Sequence, residues 1–499
     1  MPRLQALSRN PFRPAGAALL SVTRSVSAGA GAGFKDPAPP RPQAVVENPA
    51  AAPKVQPGLT FHKAPKPLAP GAVVGDWRSY LGPTLNAVSP EKPLLRRFPK
   101  DGLKPVWEVA RGEGYAAPTV VGERVLMFHR QGGEDALECL QAETGRRFWR
   151  TAYRSNYQDR YGFNGGPRCQ PISDGKRVVS LGAGGILQCV DLISGAMIWR
   201  RDLLAEFKIK QNFFGVGASP LVAGDVVIVQ LGAPGGPGVA AFDVTTGRMR
   251  WGAETEWGAS YASPVPASLH GRERVLVFAG GESRPPTGGL LCLDPSTGGV
   301  DFRFPWRGTR YESVNAASPV VLGNRVLVAE CYGSGGVLVE ARADGTANAV
   351  WKNPTFGMHF MSALRLGDHL YGVHGHGPQD AELVCVEVAT GREVWRDQPL
   401  WTETVREPRG PREIRTGLFR AFLLAVDGQV LALGEFGHLA RLELSPKGAR
   451  VLERAWLFAA TETWTPPALS RSLLYICQNT RDALQGTTPR LLCYDVRGE

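Results

Sequence analysis

The residues of this sequence best suited to chemistry are histidines, arginines and aromatic side chains. The sharpest metal-binding pattern is His374-Gly-His376, with Asp380 nearby. Side chains two residues apart on a β-strand point to the same face, so both imidazoles could reach one metal ion. The alternative is that the two histidines lie in an exposed, glycine-rich loop and bind nothing. We favour this alternative, and the sequence therefore predicts no metal site.

The eight cysteines form no pattern typical of catalysis or metal binding. They are Cys139, Cys169, Cys189, Cys292, Cys331, Cys385, Cys477 and Cys493. No two are adjacent, and no Cys-x-x-Cys-His motif is present to attach a haem. Nothing is typical of a Ser-His-Asp hydrolase or a phosphate-binding loop either. Five of the cysteines recur at one position of a repeat, so we expect them to be small packing residues and not disulfide partners.

That repeat is the strongest signal in the chain. Each copy has an apolar strand, an acidic or polar residue, two spacers, Thr-Gly and a second strand ending in Trp. Clear copies are LECLQAETGRRFW (137–149), LQCVDLISGAMIW (187–199), VAAFDVTTGRMRW (239–251), LLCLDPSTGGVDF (290–302) and LVCVEVATGREVW (383–395), with looser copies at 337–351 and 439–456. Alternating apolar residues predict half-buried strands, and Gly supplies the positive φ that a hairpin turn needs. The acidic residue, such as Asp191 or Asp243, can accept hydrogen bonds from turn amides.

A further strand pair precedes each copy, as in ASPLVAGDVVIV (218–229), so each unit has four strands. The closing aromatic residues recur every 42 to 61 residues. They are Trp107, Trp149, Trp199, Trp251, Phe302, Trp351, Trp395 and Trp456. Eight such units predict an all-β fold, an eight-bladed β-propeller of four-stranded blades.

The two ends of the repeat array are complementary. Trp107 has no strands of its own before it, and the last copy, LLCYDVRGE, stops before its fourth strand. We expect residues 104–109 to pair with Leu491–Asp495, so that the N-terminal strand and the C-terminal blade close the ring. An open solenoid of the same units would explain neither end.

The net charge of +11 is concentrated near the N-terminus. Residues 1–75 hold nine Lys or Arg and two acidic residues, whereas residues 76–499 hold 48 basic and 44 acidic side chains. A propeller so close to neutral argues against nucleic acid as the partner. No run of eighteen apolar residues occurs, so we expect no transmembrane segment.

The N-terminal 75 residues divide into two parts. Residues 1–33 have a basic start, a short apolar run and small residues at Ser27–Ala30, which is typical of a signal peptide. The alternatives are an organelle transit peptide and a disordered leader with no targeting role. Residues 34–75 are rich in Pro and Ala and predict an extended tether that does not pack. The propeller domain then spans residues 76–499.

Over residues 76–499 this pattern resembles the pyrroloquinoline quinone (PQQ)-like β-propeller repeat family. Eight copies of the Asp-x-x-Thr-Gly-x-x-x-Trp theme carry the resemblance, together with GDWRSYLGPTLNAVSPE (75–91), which is similar to the N-terminus of a bacterial subfamily. The family is related to the quinoprotein dehydrogenases and to the propeller subunit of the outer-membrane β-barrel assembly machinery. Membership alone does not imply a bound quinone.

The two relatives imply different functions. Quinoprotein alcohol dehydrogenases use a Ca²⁺-bound quinone, a catalytic Asp and a vicinal disulfide, and this chain has no adjacent cysteines. The propeller subunit of the assembly machinery is a non-enzymatic scaffold and normally a lipoprotein. No cysteine precedes Cys139, so we expect no lipid anchor here.

Propeller ligands usually bind at the mouth of the central channel, on segments that lead into the innermost strands. Aligning the blades on the Pro that opens this strand places seven distinctive side chains there. They are Tyr115, Arg168, Tyr261, Asn315, His359, Arg420 and Trp464. Such a set suits an anionic or aromatic small molecule, or a peptide. The alternative is that these residues only satisfy backbone groups around a water-filled channel.

The sequence therefore predicts an exported, monomeric, non-catalytic scaffold, periplasmic or secreted, that binds a protein or small-molecule ligand at one propeller face. No cofactor is predicted. No Asp or Glu occupies the aligned positions, which argues against the general base and the Ca²⁺ ligands of a dehydrogenase. The alternative is a PQQ- and Ca²⁺-dependent oxidoreductase acting on an alcohol or polymer, and a hydrolase or lyase also stays open.

Overall fold

The strands of this chain wrap around a central channel as eight radial sheets. The structure is a computed structural model that describes residues 35–37, 52–407 and 410–499. The predicted leader, residues 1–33, lies outside the described residues. The strands that precede the first complete blade are β1 (Leu59–Phe61), β2 (Val88–Ser89) and β3 (Pro105–Ala110).

Blades one to four follow in chain order, each an antiparallel sheet whose first strand is innermost. Their strands are β4 (Thr119–Val121), β5 (Arg124–Gln131), β6 (Glu134–Gln141), β7 (Arg147–Arg154), β8 (Ile172–Ser173), β9 (Arg177–Leu181), β10 (Ile186–Asp191), β11 (Met197–Asp202), β12 (Leu221–Ala223), β13 (Val226–Gln230), β14 (Val239–Asp243), β15 (Met249–Ala253), β16 (Val265–Leu269), β17 (Arg272–Ala279), β18 (Gly289–Leu293) and β19 (Val300–Pro305). A short helix, α1 (Leu203–Phe207), follows β11. No helix among the described residues is long and apolar enough to cross a membrane.

Blades five to eight complete the ring. Their strands are β20 (Val320–Leu322), β21 (Arg325–Glu330), β22 (Gly335–Ala341), β23 (Ala347–Asn353), β24 (Leu364–Leu366), β25 (His369–His374), β26 (Glu382–Glu387), β27 (Glu393–Asp397), β30 (Ala421–Val426), β31 (Gln429–Gly434), β32 (His438–Ser445), β33 (Gly448–Trp456), β34 (Ala468–Ser470), β35 (Leu473–Gln478) and β36 (Arg490–Asp495). An extra hairpin, β28 (Leu400–Glu407) and β29 (Gly410–Gly417), lies between blades six and seven. The prediction of an eight-bladed, all-β propeller is confirmed.

The ring closes as the sequence predicts. β3 pairs antiparallel with β36, and Trp107 lies opposite Cys493. β1 adds a fifth strand outside β3, with Phe61 opposite Trp107. Blade eight is therefore built from both ends of the propeller, and the edge that β3 would expose is covered.

The repeated Trp and Gly belong to one contact between neighbouring blades. The indole N–H of Trp149 donates to the Leu192 carbonyl in the next blade at 3.0 Å, and Trp199 does the same to Val244 at 2.9 Å. The turn glycine of the receiving blade has positive φ, and a Cβ on Gly195 would lie 2.5 Å from the Trp149 ring. The turn glycine thus provides both the positive φ of the turn and the space that the Trp of the preceding blade requires.

The other repeated residues also have the expected roles. Asp191 accepts hydrogen bonds from two turn amides, at 3.0 and 2.8 Å, and Asp243 does likewise. The five repeat cysteines are all buried. Apolar side chains of adjacent blades interdigitate to form most of the core.

The expectation that residues 34–75 do not pack is wrong for the part of this segment that the structure describes. β1 joins blade eight, and the backbone of Lys54 bonds to that of Arg147 in blade one at 2.8 Å. Further upstream, the Asp36 carboxylate forms an ion pair with Arg201, whose side chain is fully buried. Prolines prevent the segment from forming its own sheet, but they do not prevent it from docking on edges that the propeller offers.

Residues 77–89 close one end of the channel. The backbone of Trp77 pairs with Val120 of β4 in blade one, Leu85 packs against residues of blades three and four, and β2 pairs in parallel with β30 of blade seven. Between these points, Gln170 donates to the Ser79 carbonyl at 3.1 Å. The segment lies where the innermost strands end, so the opposite end, where these strands begin, is the one left for a ligand. We term that end the mouth.

Candidate functional site

All seven predicted ligand-binding residues lie in connections that lead into innermost strands. Five of them contact one another at the mouth. The ring centroids of Tyr115 and Trp464 are 5.6 Å apart, and the Arg420 guanidinium carbon lies 4.9 Å from the Trp464 ring. Arg168 lies 5.6 Å from the Tyr115 ring, and Arg420 Nη1 lies 3.2 Å from His359 Nδ1. The alignment therefore selected side chains that the fold does bring together.

Tyr261 and Asn315 are placed differently. The Tyr261 hydroxyl accepts a hydrogen bond from the backbone N–H of Phe214 at 2.8 Å, so it supports a neighbouring connection. Asn315 is fully buried, and its amide donates to the carbonyls of Ala279 and Trp306 at 2.7 and 3.1 Å. Asn315 therefore satisfies backbone groups, which is the alternative role considered for these seven residues.

Aromatic side chains from two long connections cover the mouth. Residues 155–167 join blades one and two, and residues 208–217 join blades two and three. The aromatic lid that they form consists of Tyr161, Phe163, Phe213 and Phe214. Phe163 spans the mouth, with its ring centroid 5.5 Å from that of Trp464 and 5.8 Å from that of Phe214. The sequence alignment missed the lid because it sampled two positions per blade, although the length and aromatic content of these connections were visible signals.

Each arginine of the mouth is paired with a buried carboxylate. Arg168 Nη2 donates to Asp159 Oδ2 at 2.9 Å, and the Asp159 side chain is fully buried. Arg420 Nε donates to Glu435 Oε2 at 3.0 Å, and both side chains are buried. The remaining oxygen of Glu435 accepts a hydrogen bond from the indole of Trp464 at 2.9 Å. The mouth therefore holds carboxylates that the aligned positions lack, and they neutralise its guanidinium groups.

The position of Glu435 in its blade could have been recognised from the sequence. In four blades, a residue able to accept hydrogen bonds lies seven positions after the glycine of the innermost turn. These residues are His129, Glu330, His374 and Glu435, after Gly122, Gly323, Gly367 and Gly428. His129 Nδ1 accepts from the Gly112 N–H at 2.7 Å, and Glu330 accepts from the Tyr332 N–H at 2.7 Å. Aligning this position would have found Glu435.

The same register position explains the role of His374, one of the two candidate metal ligands. His374 Nδ1 accepts from the Gly357 N–H at 3.0 Å, so this imidazole has a structural partner. His376 instead stacks on His359, with ring centroids 4.5 Å apart. Asp380 accepts hydrogen bonds from the backbone of residues 376 and 377. Among the described residues no three His, Cys, Asp or Glu side chains are grouped as metal ligands.

Burial determines the protonation states at the mouth. It lowers the pKa of His359 well below its usual range, with the nearby His376 and Arg420 acting in the same direction. Burial also raises the pKa of Tyr115, whose hydroxyl donates to Glu462. The pKa of Glu462 is itself raised by burial, although the Tyr115 hydrogen bond opposes this. At neutral pH His359 is therefore neutral.

Two clefts flank the aromatic lid. The larger, about 710 Å³, lies beside blade one and is lined by Glu113, Arg130, Tyr157 and Phe163 among others. In it, the Arg130 guanidinium donates to the backbone carbonyls of Tyr157 and Gly165 at 2.6 and 3.0 Å. The smaller, about 520 Å³, lies between the lid and blade four. Phe163 and Trp464 meet at the channel entrance itself, and the two clefts lie beside it.

A ring of eight four-stranded blades, closed through its N-terminal strand and built on Trp-docking repeats, is a PQQ-like repeat propeller. The sequence model of the family described as "Outer membrane protein assembly factor BamB" matches residues 133–397, from blade one to blade six. The chain belongs to this family.

Individual relatives agree with that assignment. BamB of Burkholderia pseudomallei is 25% identical over 331 residues, which are 63% of this chain and 74% of that protein. The crystal structure of BamB from Moraxella catarrhalis matches with a TM-score of 0.52 and 18% identity, over 80% of this chain and 98% of that chain.

Quinoprotein structures share the fold as well. A europium-containing methanol dehydrogenase matches with a TM-score of 0.58 and 13% identity, over 84% of this chain and 98% of that chain. The quinohemoprotein alcohol dehydrogenase from Comamonas testosteroni gives a TM-score of 0.58 and 13% identity, over 85% and 81% of the two chains. At this identity the likeness concerns the fold alone, so the choice between scaffold and dehydrogenase depends on the site.

Proposed function

We propose that this protein is an exported, non-catalytic scaffold that binds a protein partner at the mouth face of its propeller. The observation that carries the proposal is that both arginines of the mouth are neutralised by buried carboxylates of the chain itself. Separating a buried ion pair leaves an uncompensated charge, at a cost of about 3–5 kcal/mol. Arg168 and Arg420 are therefore poor receptors for an incoming anion and good anchors for the loops that cover the mouth.

The aromatic lid supports the same proposal. Half-buried aromatic side chains held by a rigid scaffold, with arginines around them, are typical of protein-binding surfaces. Tyr161 and Phe214 stack with centroids 5.4 Å apart, and Phe214 contacts Tyr261 at 5.7 Å. Tyr161, Phe163 and Phe214 are half-buried and present apolar surface, whereas Phe213 is buried and packs against Tyr161 and Phe214.

The alternative, a PQQ-dependent dehydrogenase, fits these residues poorly. A Ca²⁺-bound quinone needs hard oxygen ligands and its substrate needs a general base. Both oxygens of Glu435 are engaged, by Arg420 and Trp464, and both oxygens of Asp159 are engaged, by Arg168 and by the backbone N–H of Tyr161. Phe163 and Trp464 occupy the space above the channel. We therefore propose that the protein binds no quinone.

We further propose a periplasmic location and a role beside the outer membrane. The family and the Burkholderia relative are named for outer membrane protein assembly, and residues 1–33 predict a signal peptide. Fractionation of the native host should place the processed protein in the periplasmic or membrane-associated fraction. Retention of the leader in a cytoplasmic pool would contradict export.

One pair of measurements tests the scaffold itself. Adding PQQ and Ca²⁺ to the purified protein should give neither a quinone absorbance shift nor alcohol-dependent dye reduction, whereas turnover would overturn the proposal. A photo-crosslinking residue at Gln158, exposed on the mouth face, should capture a protein partner in the native host. The matched control is the same residue at Ile193, which is exposed at the opposite end of blade two. Equal capture at both positions would argue against a mouth-face interaction.

A further inference from the structure

The smaller cleft beside the aromatic lid carries an unbalanced positive charge. Three connections between blades and one loop of blade four meet there, beside the lid. Its lining consists of Arg160, Lys210, Gln211, Asn212, Glu282, Ser283, Arg284 and Tyr311. Three of these side chains are cationic and one is anionic, so the cleft has an excess of two positive charges.

The single carboxylate, Glu282, is already saturated. One of its oxygens accepts a hydrogen bond from the Tyr311 hydroxyl, and the other forms an ion pair with Arg160. Burial alone would raise the Glu282 pKa, but the hydrogen bonds from Tyr311 and Arg160, together with the charge of Lys210, lower it. Glu282 is therefore ionised at neutral pH and neutralises Arg160.

Lys210 and Arg284 are the two cations left over. Neither forms an ion pair with a carboxylate in the part of the chain that the structure describes, and both are exposed. The Arg284 guanidinium lies 4.0 Å from the centroid of the Tyr311 ring, which holds it at the cleft wall by a cation–π contact. The ring centroids of Tyr311 and the buried Phe213 are 5.4 Å apart, and Phe213 in turn contacts the half-buried ring of Tyr161 at 6.1 Å, so the cleft adjoins the exposed part of the lid through Tyr161.

We propose that this cleft binds an acidic segment of a protein partner, with carboxylates between Lys210 and Arg284 and adjoining apolar side chains on the aromatic lid. The inference rests on the proposed scaffold function and names the chemistry of its partner. An isolated inorganic anion would use the cations but not the lid, whereas a peptide that alternates acidic and apolar residues matches both. Guanidinium and carboxylate groups also form bidentate pairs, which adds specificity to charge.

A labelled peptide provides the test. Fluorescence anisotropy would follow a fluorescein-labelled peptide of alternating Asp and Phe or Leu residues, with a peptide in which Lys replaces Asp as the probe control. The acidic peptide should bind more tightly, and added salt should weaken its binding. The double variant Lys210→Glu/Arg284→Glu should raise its Kd about tenfold or more.

Matched charge reversals separate a specific cleft from general attraction. The control is Lys447→Glu/Arg450→Glu, at an exposed turn of blade seven, which should leave Kd unchanged within about twofold. Equal weakening by both double variants, or no binding of the acidic peptide, would overturn the proposal. Binding to vesicles that contain anionic lipid, lost in the Lys210/Arg284 variant without any peptide binding, would assign the cleft to a membrane instead.

The cleft proposal and the scaffold proposal can fail independently, because different measurements test them. If crosslinking at Gln158 captures a partner that the Lys210→Glu/Arg284→Glu variant still binds normally, this cleft is wrong and the scaffold stands. If quinone-dependent turnover is found while the peptide binds as described, the cleft stands and the non-catalytic function is wrong.

Discussion

Phe163 and Trp464 touch across the mouth of the propeller, with ring centroids 5.5 Å apart at an interplanar angle of 63°. Phe163 belongs to the connection between blades one and two, whereas Trp464 leads into blade eight. This contact joins the aromatic lid to the ion-paired residues beneath it and closes the channel from above.

Removing that contact should open the mouth. Phe163→Ala should increase acrylamide quenching of tryptophan fluorescence and lower the free energy of unfolding by about 1–2 kcal/mol, because an edge-to-face contact and a half-buried ring are lost. Phe148→Ala, which removes a half-buried ring on β7 far from the mouth, is the control and should leave quenching unchanged. Equal quenching in the two variants would show that Phe163 does not shield Trp464.

Removing one partner of the Arg420–Glu435 ion pair should destabilise the protein more than removing both. Glu435→Gln leaves the buried guanidinium uncompensated and should lower the free energy of unfolding by about 3–5 kcal/mol. The double variant Arg420→Met/Glu435→Gln should be less destabilised than that single variant, as measured by urea unfolding. A double variant as unstable as the sum of the single ones would mean that the two side chains are not coupled.

Asp135 should make stability depend on pH in an unusual direction. Burial raises its pKa to about 6, although the neighbouring Ser155, Arg130 and Tyr153 act in the opposite direction. The folded protein then binds the proton more tightly than the unfolded chain, so this group lowers stability as pH rises from about 4 to about 6, with a plateau above.

Asp135→Asn should therefore raise the free energy of unfolding at pH 8 by up to about 3 kcal/mol and have little effect near pH 4. Urea unfolding at both pH values measures this difference. Asp225→Asn, at a side chain that is 74% exposed, is the control and should show no such dependence. A gain that is equal at pH 4 and pH 8 would mean that the amide packs better and that titration plays no part.

The ion pair between Asp36 and Arg201 should hold the N-terminal segment on the rim of the ring. Asp36 also accepts a hydrogen bond from the backbone N–H of Met249 at 3.1 Å, and Arg201 keeps Glu206 as a second partner at 2.6 Å. Asp36→Asn should therefore leave the propeller folded but speed tryptic cleavage after Lys35. Asp344→Asn, in an exposed turn, should not alter the cleavage rate. An unchanged rate in both variants would rule out this anchor.

Ring closure should depend on Trp107. Its side chain is fully buried, and its indole N–H donates to the Ala142 carbonyl of blade one at 2.9 Å. Trp107→Ala should lower the free energy of unfolding by about 3–5 kcal/mol, whereas Trp395→Ala, at a half-buried equivalent position, should cost less. An equal decrease in the free energy of unfolding for both variants would mean that the closing strand contributes no more to stability than the equivalent strand of another blade.

Most of the fold could be predicted because the repeat is local. The Asp, Thr-Gly and Trp positions act within one hairpin and its neighbour, so eight copies with two complementary ends were enough to predict blade number and closure. The hairpin β28–β29 was not predicted, although the 61-residue spacing between Trp395 and Trp456 marked an insertion there. The docking of residues 52–75 was also missed, since proline content says nothing about an external sheet edge.

The mouth shows the same division between local and non-local information. An alignment of two positions per blade selected Tyr115, Arg168, His359, Arg420 and Trp464, which the structure brings together. The carboxylates that pair with the arginines come from other positions and other segments. Their effect on the charge of the site was therefore invisible in an alignment of single positions.

The sequence by itself determined the eight blades, the closing strand and the set of aromatic and basic residues at one end of the channel, because each depends on periodic residue types. Only the tertiary structure decided that Arg168 and Arg420 are neutralised by buried carboxylates and that aromatic side chains cover them. Ion pairs such as that of Arg420 with Glu435, and ring contacts such as that of Phe163 with Trp464, join residues whose spacing along the chain carries no period. These residues become neighbours only because the closed ring brings distant segments of the chain together at the channel.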